Sequence, residues 1–116
     1  LILTATFLFA QGAGNALRFD GTDDYVQLGN VLNLGTGNFS IEAWARADKF
    51  ENGDGEKVVT KGVSVVGTPA NAGYGLRFWG ENGTNKIIFI VSDGNYYGVE
   101  TSGISTNVWY HITGVR

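Results

Sequence analysis

The chain has no cysteine, one proline, one histidine and eight lysines and arginines among 116 residues. Each shortage removes a class of chemistry. Without cysteine there are no disulfides, no thiolate nucleophile and no cysteine-ligated zinc, so the fold is held by its core, or by core plus a bound ion. The basic residues are scattered singly and the net charge is −3, which leaves no basic stripe to displace counterions from a nucleic acid. Helical stretches are missing too, because Gly and Asn interrupt the polar segments too often for a stable helix. The longest predominantly apolar stretch, residues 1–10, is about half of what crosses a bilayer. Membrane insertion through a helix is therefore not expected.

What the chain does have is glycine, 18 of them, with 43% hydrophobic and 13% aromatic residues. That is a turn-rich globular composition and not a disordered one. Alternating apolar and polar residues between Gly, Asn and Asp clusters indicate short antiparallel strands. Residues 15–20 place Leu17 and Phe19 on one face, and residues 25–28 place Val26 and Leu28 on one face; Asp20-Gly21-Thr22-Asp23 supplies turn chemistry between them. Residues 39–47 show the clearest alternation, with Phe39, Ile41, Ala43 and Ala45 on the core side. The opposite row, Glu42, Trp44 and Arg46, is half polar and either lines a concave surface or packs under a loop. Residues 58–61, 74–79 and 108–115 are further strands, and residues 86–92 are apolar on both faces, as a central strand requires. Phe19, Val26, Ile41, Ala43, Leu76, Ile88, Ile90 and Ile112 are the expected core, with Trp44 and Trp109 also assigned to it.

Residues 1–12 read as the remnant of a secretory signal peptide, an apolar run closed by small residues and without an initiating Met. Cleavage falls after Ala10 or Gly12. The alternative is an N-terminal edge strand, since Thr, Phe and Ile favour strands.

Four segments together carry a family resemblance: Ala16-Leu-Arg-Phe-Asp-Gly-Thr-Asp-Asp-Tyr-Val-Gln-Leu-Gly29, Gly37-Asn-Phe-Ser-Ile-Glu-Ala-Trp-Ala-Arg-Ala-Asp48, the pair Val59-Thr-Lys-Gly62 and Tyr74-Gly-Leu-Arg-Phe78, and Trp109-Tyr-His-Ile-Thr-Gly-Val115. In this order they resemble the laminin-G-like domains of the concanavalin A-like lectin and glucanase superfamily. The resemblance implies an all-β, antiparallel jelly-roll sandwich over residues 13–116, incomplete at its C-terminus. It also implies a non-catalytic recognition module of a larger secreted or cell-surface protein, whose partners are a glycan or an extracellular protein. A protein–protein adhesion or spacer domain, and an accessory domain of a polysaccharide-degrading enzyme, are the alternatives.

Catalysis finds little support in the residues. Glycosidases need two carboxylates flanking the scissile bond, whereas Glu42 stands alone on its strand and Asp23 and Asp24 are adjacent, so a strand would point them apart. His111 lacks a nucleophile motif and is expected to be a satisfied core residue. Calcium is the one cofactor expected, from the oxygen ligands of Asp20, Asp23 and Asp24 with turn carbonyls. For a sugar ligand the candidates are Trp79, Tyr96 and Tyr97 for stacking, with Arg77, Asn82 and Asn95 to fix hydroxyls.

Overall fold

A computed structural model describes residues 1–7, 15–53, 55–62 and 72–116. Seven strands run in chain order: β1 Ile2–Phe7, β2 Ser40–Ala45, β3 Lys57–Lys61, β4 Gly73–Glu81, β5 Thr84–Ser92, β6 Tyr96–Ser102 and β7 Tyr110–Val115. They form two antiparallel sheets, β1-β7-β2 and β3-β4-β5-β6. The antiparallel strands expected from alternation, and the all-β sandwich implied by the resemblance, are the architecture found.

Local chemistry explains the second sheet. The β4–β5 hairpin closes on Asn82-Gly83, both at positive φ (49° and 78°), the backbone that a two-residue turn matched to strand twist requires. The apolar run of β5 lies between β4 and β6, and Ile87, Ile88, Phe89, Ile90 and Val91 are all buried. β6 and β3 form the sheet edges, and they are more polar and more exposed.

The core lies between the sheets. Ile41, Ala43 and Ala45 of β2 and Tyr110 and Ile112 of β7 face Tyr74, Leu76 and Phe78 of β4 and Ile87, Phe89 and Val91 of β5. Phe39 closes one end, its ring 5.3 Å from Tyr74 and 6.3 Å from Phe89. Phe50 closes the other, edge-on to Phe78 at 5.6 Å. Gly114 is required by this contact between layers, because a Cβ there would come within 2.5 Å of the Phe89 ring.

Two expectations change. Residues 15–28 form no strand, and Phe19 (48% exposed) and Val26 (59%) lie outside the core. Around residues 20–24 the backbone is held by side chains instead of a ladder. Asp20 Oδ1 accepts from the Thr22 amide at 2.8 Å, and Asp24 Oδ2 accepts from the Asp20 amide at 2.9 Å. Such local bonds compete with strand pairing. Second, Ile88 and Ile90 are buried, but on the opposite face of β5, where they pack with Trp79 and not with the common core. Ile2–Phe7 pair along their whole length with β7. The cleavage region after Phe7 lies outside the described residues.

Candidate functional site

The alternation of β2 puts one row of side chains in the core and the other on the outer surface of the first sheet. Pairing fixes which residues of β7 join that outer row: Glu42 lies opposite Thr113, and Trp44 opposite His111. One step beyond the last paired residues, Ala45 and Tyr110, Arg46 meets Trp109. The Trp44 and His111 rings stack at 5.1 Å with 31° between planes. His111 Nε2 lies 3.5 Å from Glu42 Oε2. The Arg46 guanidinium sits 5.8 Å from the Trp109 ring centroid and 3.2 Å from Asp48 Oδ1. Arg18 approaches the other oxygen of Asp48 at 3.9 Å.

This row corrects two expectations. Trp44 is 44% exposed and Trp109 38% exposed, so neither is a core residue. His111 is half-buried on the same outer face, between Trp44 and Glu42, and not in the core. The signal was present in the sequence, since Trp44 alternates in phase with Glu42 and Arg46. The expectation for Trp44 followed the size of the ring where the phase pointed outward.

The six residues expected to contact sugar do not converge. Trp79, Arg77 and Tyr96 share the outer face of the second sheet, where Arg77 pairs with Ile88 and Ile88 with Glu100. Arg77 has no exposed surface; its Nη2 lies 3.7 Å from where a Cβ on Gly75 would sit. Tyr96 folds over Gly98, whose Cβ would be 2.9 Å from the phenol oxygen, and burial raises its pKa above 10.0. Tyr97 follows Tyr96 directly and so points to the other side of β6. Asn82 and Asn95 occupy turns at opposite ends of β5, about 30 Å apart at ~3.3 Å per residue. Lys86 crosses this outer face and bonds both Glu81 and Glu100 at 3.0 Å, which raises its pKa through those two hydrogen bonds.

The acidic turn does assemble. One carboxylate oxygen from each of Asp20, Asp23 and Asp24 lies within 4.8 Å of the others, and all three residues are exposed. Calcium holds oxygens at about 2.3–2.6 Å, so two ligands of one ion lie up to ~5 Å apart, and this spacing fits.

At the far end of the sandwich a cavity of about 320 Å³ is lined by Leu32, Leu34, Phe39, Tyr74, Val91 and Asp93, among others. Lys61 Nζ donates to the Val31 carbonyl at 2.6 Å and the Tyr74 hydroxyl to the Leu32 carbonyl at 3.1 Å, closing part of its rim. Among the described residues no helix is long and apolar enough to cross a membrane.

No curated protein and no solved structure matches the chain. A laminin G-type family model, described as the concanavalin A-like lectin/glucanases superfamily, matches residues 20–116. With that match over most of its length, and with two antiparallel sheets packed face to face, the chain belongs to the laminin G-like domains of the concanavalin A-like superfamily, which commonly bind carbohydrates or proteins.

Proposed function

We propose that this domain is a non-catalytic, extracellular recognition module that binds carbohydrate. The observation that carries the reading is the exposure of aromatic rings beside hydrogen-bonding groups: Trp44 is 44% exposed and Trp109 38%. Rings in that state present an apolar face next to polar partners, which suits the mixed C–H and hydroxyl surface of a sugar. A structural spacer would bury them.

The carboxylates favour recognition over hydrolysis. A glycosidase needs two of them facing one another across a cleft. Here Glu42 faces His111, Glu81 and Glu100 both bond Lys86, and Asp48 lies between Arg18 and Arg46. The acidic turn at Asp20, Asp23 and Asp24 is the proposed calcium site. Asp20 and Asp24 each commit one oxygen to a backbone amide and keep the other for an ion.

A glycan microarray probed with the purified domain tests the carbohydrate reading, with calcium and with chelator. Binding to a chemically coherent set of glycans, without release of reducing ends, is the expected result. Absence of binding across neutral and acidic glycans would sink it. For the metal, calcium should raise the melting temperature, and Asp23→Asn with Asp24→Asn should abolish that rise. One observation favours the second reading, adhesion to another protein: Leu17, Phe19, Tyr25, Val26, Leu28, Val31 and Leu32 are 47–76% exposed, and apolar surface of this kind marks protein contacts.

A further inference from the structure

Resting on the carbohydrate reading, we infer that the ligand site is the outer face of the β1-β7-β2 sheet, and that it takes a neutral oligosaccharide. The residues that define it are Trp44, Trp109, His111, Glu42 and Arg46.

The placement follows from register. Trp44 on β2 and Trp109 just before β7 are diagonal neighbours, within reach of one another at about 7–8 Å. Each has one ring face against a polar group, Trp44 on His111 and Trp109 under Arg46. Each is still about two-fifths exposed, at 44% and 38%. That leaves apolar ring surface turned to solvent at two adjacent points, held in place by stacking partners. Rigid rings lose little entropy when they take up a ligand. The three strands span about 10 Å across at ~4.8 Å spacing, and the rows from Glu42 to Arg46 and Trp109 to Thr113 about 13 Å along. A short oligosaccharide fits that area, with Thr113 and Thr4, paired with each other across β1 and β7, extending it beyond the rings.

Charge selects the ligand class. The charged groups on the face already have partners within it: Asp48 is compensated by Arg46 and Arg18, and Glu42 Oε2 lies 3.5 Å from His111 Nε2. Their side chains remain solvent-accessible, Glu42 at 71% and Arg46 at 39%, so both acceptors and donors are available for hydroxyl groups. An anionic polymer would have to displace Asp48 from Arg46 or tolerate Glu42. A nucleic acid would find no cluster of cations, because the two arginines share one acid. A neutral polyol with an apolar C–H face meets neither cost. The outer face of the second sheet is less suited, since its arginine is fully buried and its tyrosine is folded over Gly98.

The test uses the complete chain and β-1,4-linked hexasaccharides of glucose, xylose and mannose, with a heparin-derived hexasaccharide as the anionic probe. Binding is followed by tryptophan fluorescence and calorimetry, and fold by thermal melting. A neutral hexasaccharide should bind, and Trp44→Ala and Trp109→Ala should each weaken it about tenfold or more, the loss of roughly 1.4 kcal/mol. Trp44→Phe should retain most of the affinity, and Tyr96→Ala and Tyr97→Ala should leave it unchanged. If Trp44→Ala lowers the melting temperature strongly, Glu42→Gln and Arg46→Gln provide the same test from exposed positions, each expected to weaken binding severalfold. Neutral binding that survives both tryptophan variants but is lost with Tyr96→Ala overturns the location and leaves the carbohydrate reading standing. Binding of the heparin probe alone overturns the ligand class and likewise leaves that reading standing. No saccharide binding at all overturns both.

Discussion

Residues 17–32 and strand β5 are both rich in large apolar side chains, yet they end at opposite extremes of exposure. Leu17 is 75% exposed and Tyr25 76%, whereas Ile87, Phe89 and Ile90 of β5 are at 0%. What separates them is pairing. β5 has β4 on one side and β6 on the other, so its backbone bonds are completed by ladders and its side chains are covered on both faces. In residues 20–32 backbone groups are met by side chains: the Asp20 and Thr22 amides by Asp24 and Asp20, the Val31 carbonyl by Lys61, the Leu32 carbonyl by Tyr74. Leu32 also takes a left-handed backbone, φ 56°, which a non-glycine residue adopts at a cost and which cannot continue a strand. Alternation makes a strand possible; an available edge makes it real.

The comparison is broken most sharply from the β5 side. Phe89→Ala should cost about 3–5 kcal/mol, since the ring is fully buried between the layers against Phe39 and Gly114. Gly114→Ala attacks the same contact from the other layer. Its Cβ would overlap the ring, and overpacking of this kind costs about 1–3 kcal/mol. Denaturant melts of the two variants measure both. Losses below ~1 kcal/mol for both would mean that the sheets do not pack through Phe89.

A middle-sized effect is expected from the facing sheet, where β7 is buried more deeply than β2. Ile112→Ala, at a position with no exposure, should cost about 2–5 kcal/mol. Ile41→Ala, half-buried on the neighbouring strand, should cost less than Ile112→Ala. Equal losses would place β2 as deep in the core as β7.

From the other region the expected change is small. Phe19→Ser and Leu28→Ser should each alter stability by no more than about 0.5 kcal/mol, as surface substitutions do, and should improve solubility by shrinking the exposed apolar area. A loss beyond ~1 kcal/mol in equilibrium unfolding would show that this segment is packed against the body of the domain.

These contrasts also mark how far the sequence could be read. The central position of β5 and the core phase of Ile41, Ala43 and Ala45 were legible because local periodicity determines them, and the sandwich followed from the family resemblance of four segments in order. Strand β6 was not, because Tyr96 and Tyr97 are adjacent aromatics that blur its alternation. The sugar candidates Trp79, Arg77 and Tyr96 followed from side-chain type, for stacking and for fixing hydroxyls, but burial depends on what crosses the strand: Arg77 lies over Gly75 and Tyr96 over Gly98. The Trp44 and Trp109 platform needs the β2–β7 register, which joins residues far apart in the chain and which no local pattern encodes. Residues 20–24 were read correctly as a turn, and the flanking strands were not, because turn chemistry is local and edge availability is global.

The smallest expected effect concerns a single carboxylate just before β3. Glu56 accepts the Glu51 amide at 3.2 Å through Oε1, while Oε2 is buried with no hydrogen-bond partner among the described residues. Burial raises its pKa above the ordinary 4.5, and its backbone hydrogen bonds offset this only in part. The folded form therefore keeps the proton to a higher pH than the unfolded chain does. Its contribution is fully present below the unfolded value and is lost as pH rises through the folded one. At neutral pH the domain carries the cost of a partly desolvated carboxylate. Glu56→Gln keeps an oxygen for the Glu51 amide and removes the ionisation. Melting temperatures of both proteins from about pH 4 to about pH 7 should thus show the variant gaining on the wild type as pH rises above 4.5. The gain should level off once the wild-type carboxylate is fully ionised. A constant difference across that window would mean that Glu56 titrates alike in the folded and unfolded states, and that its carboxylate is solvated like those of the exposed 20–24 turn.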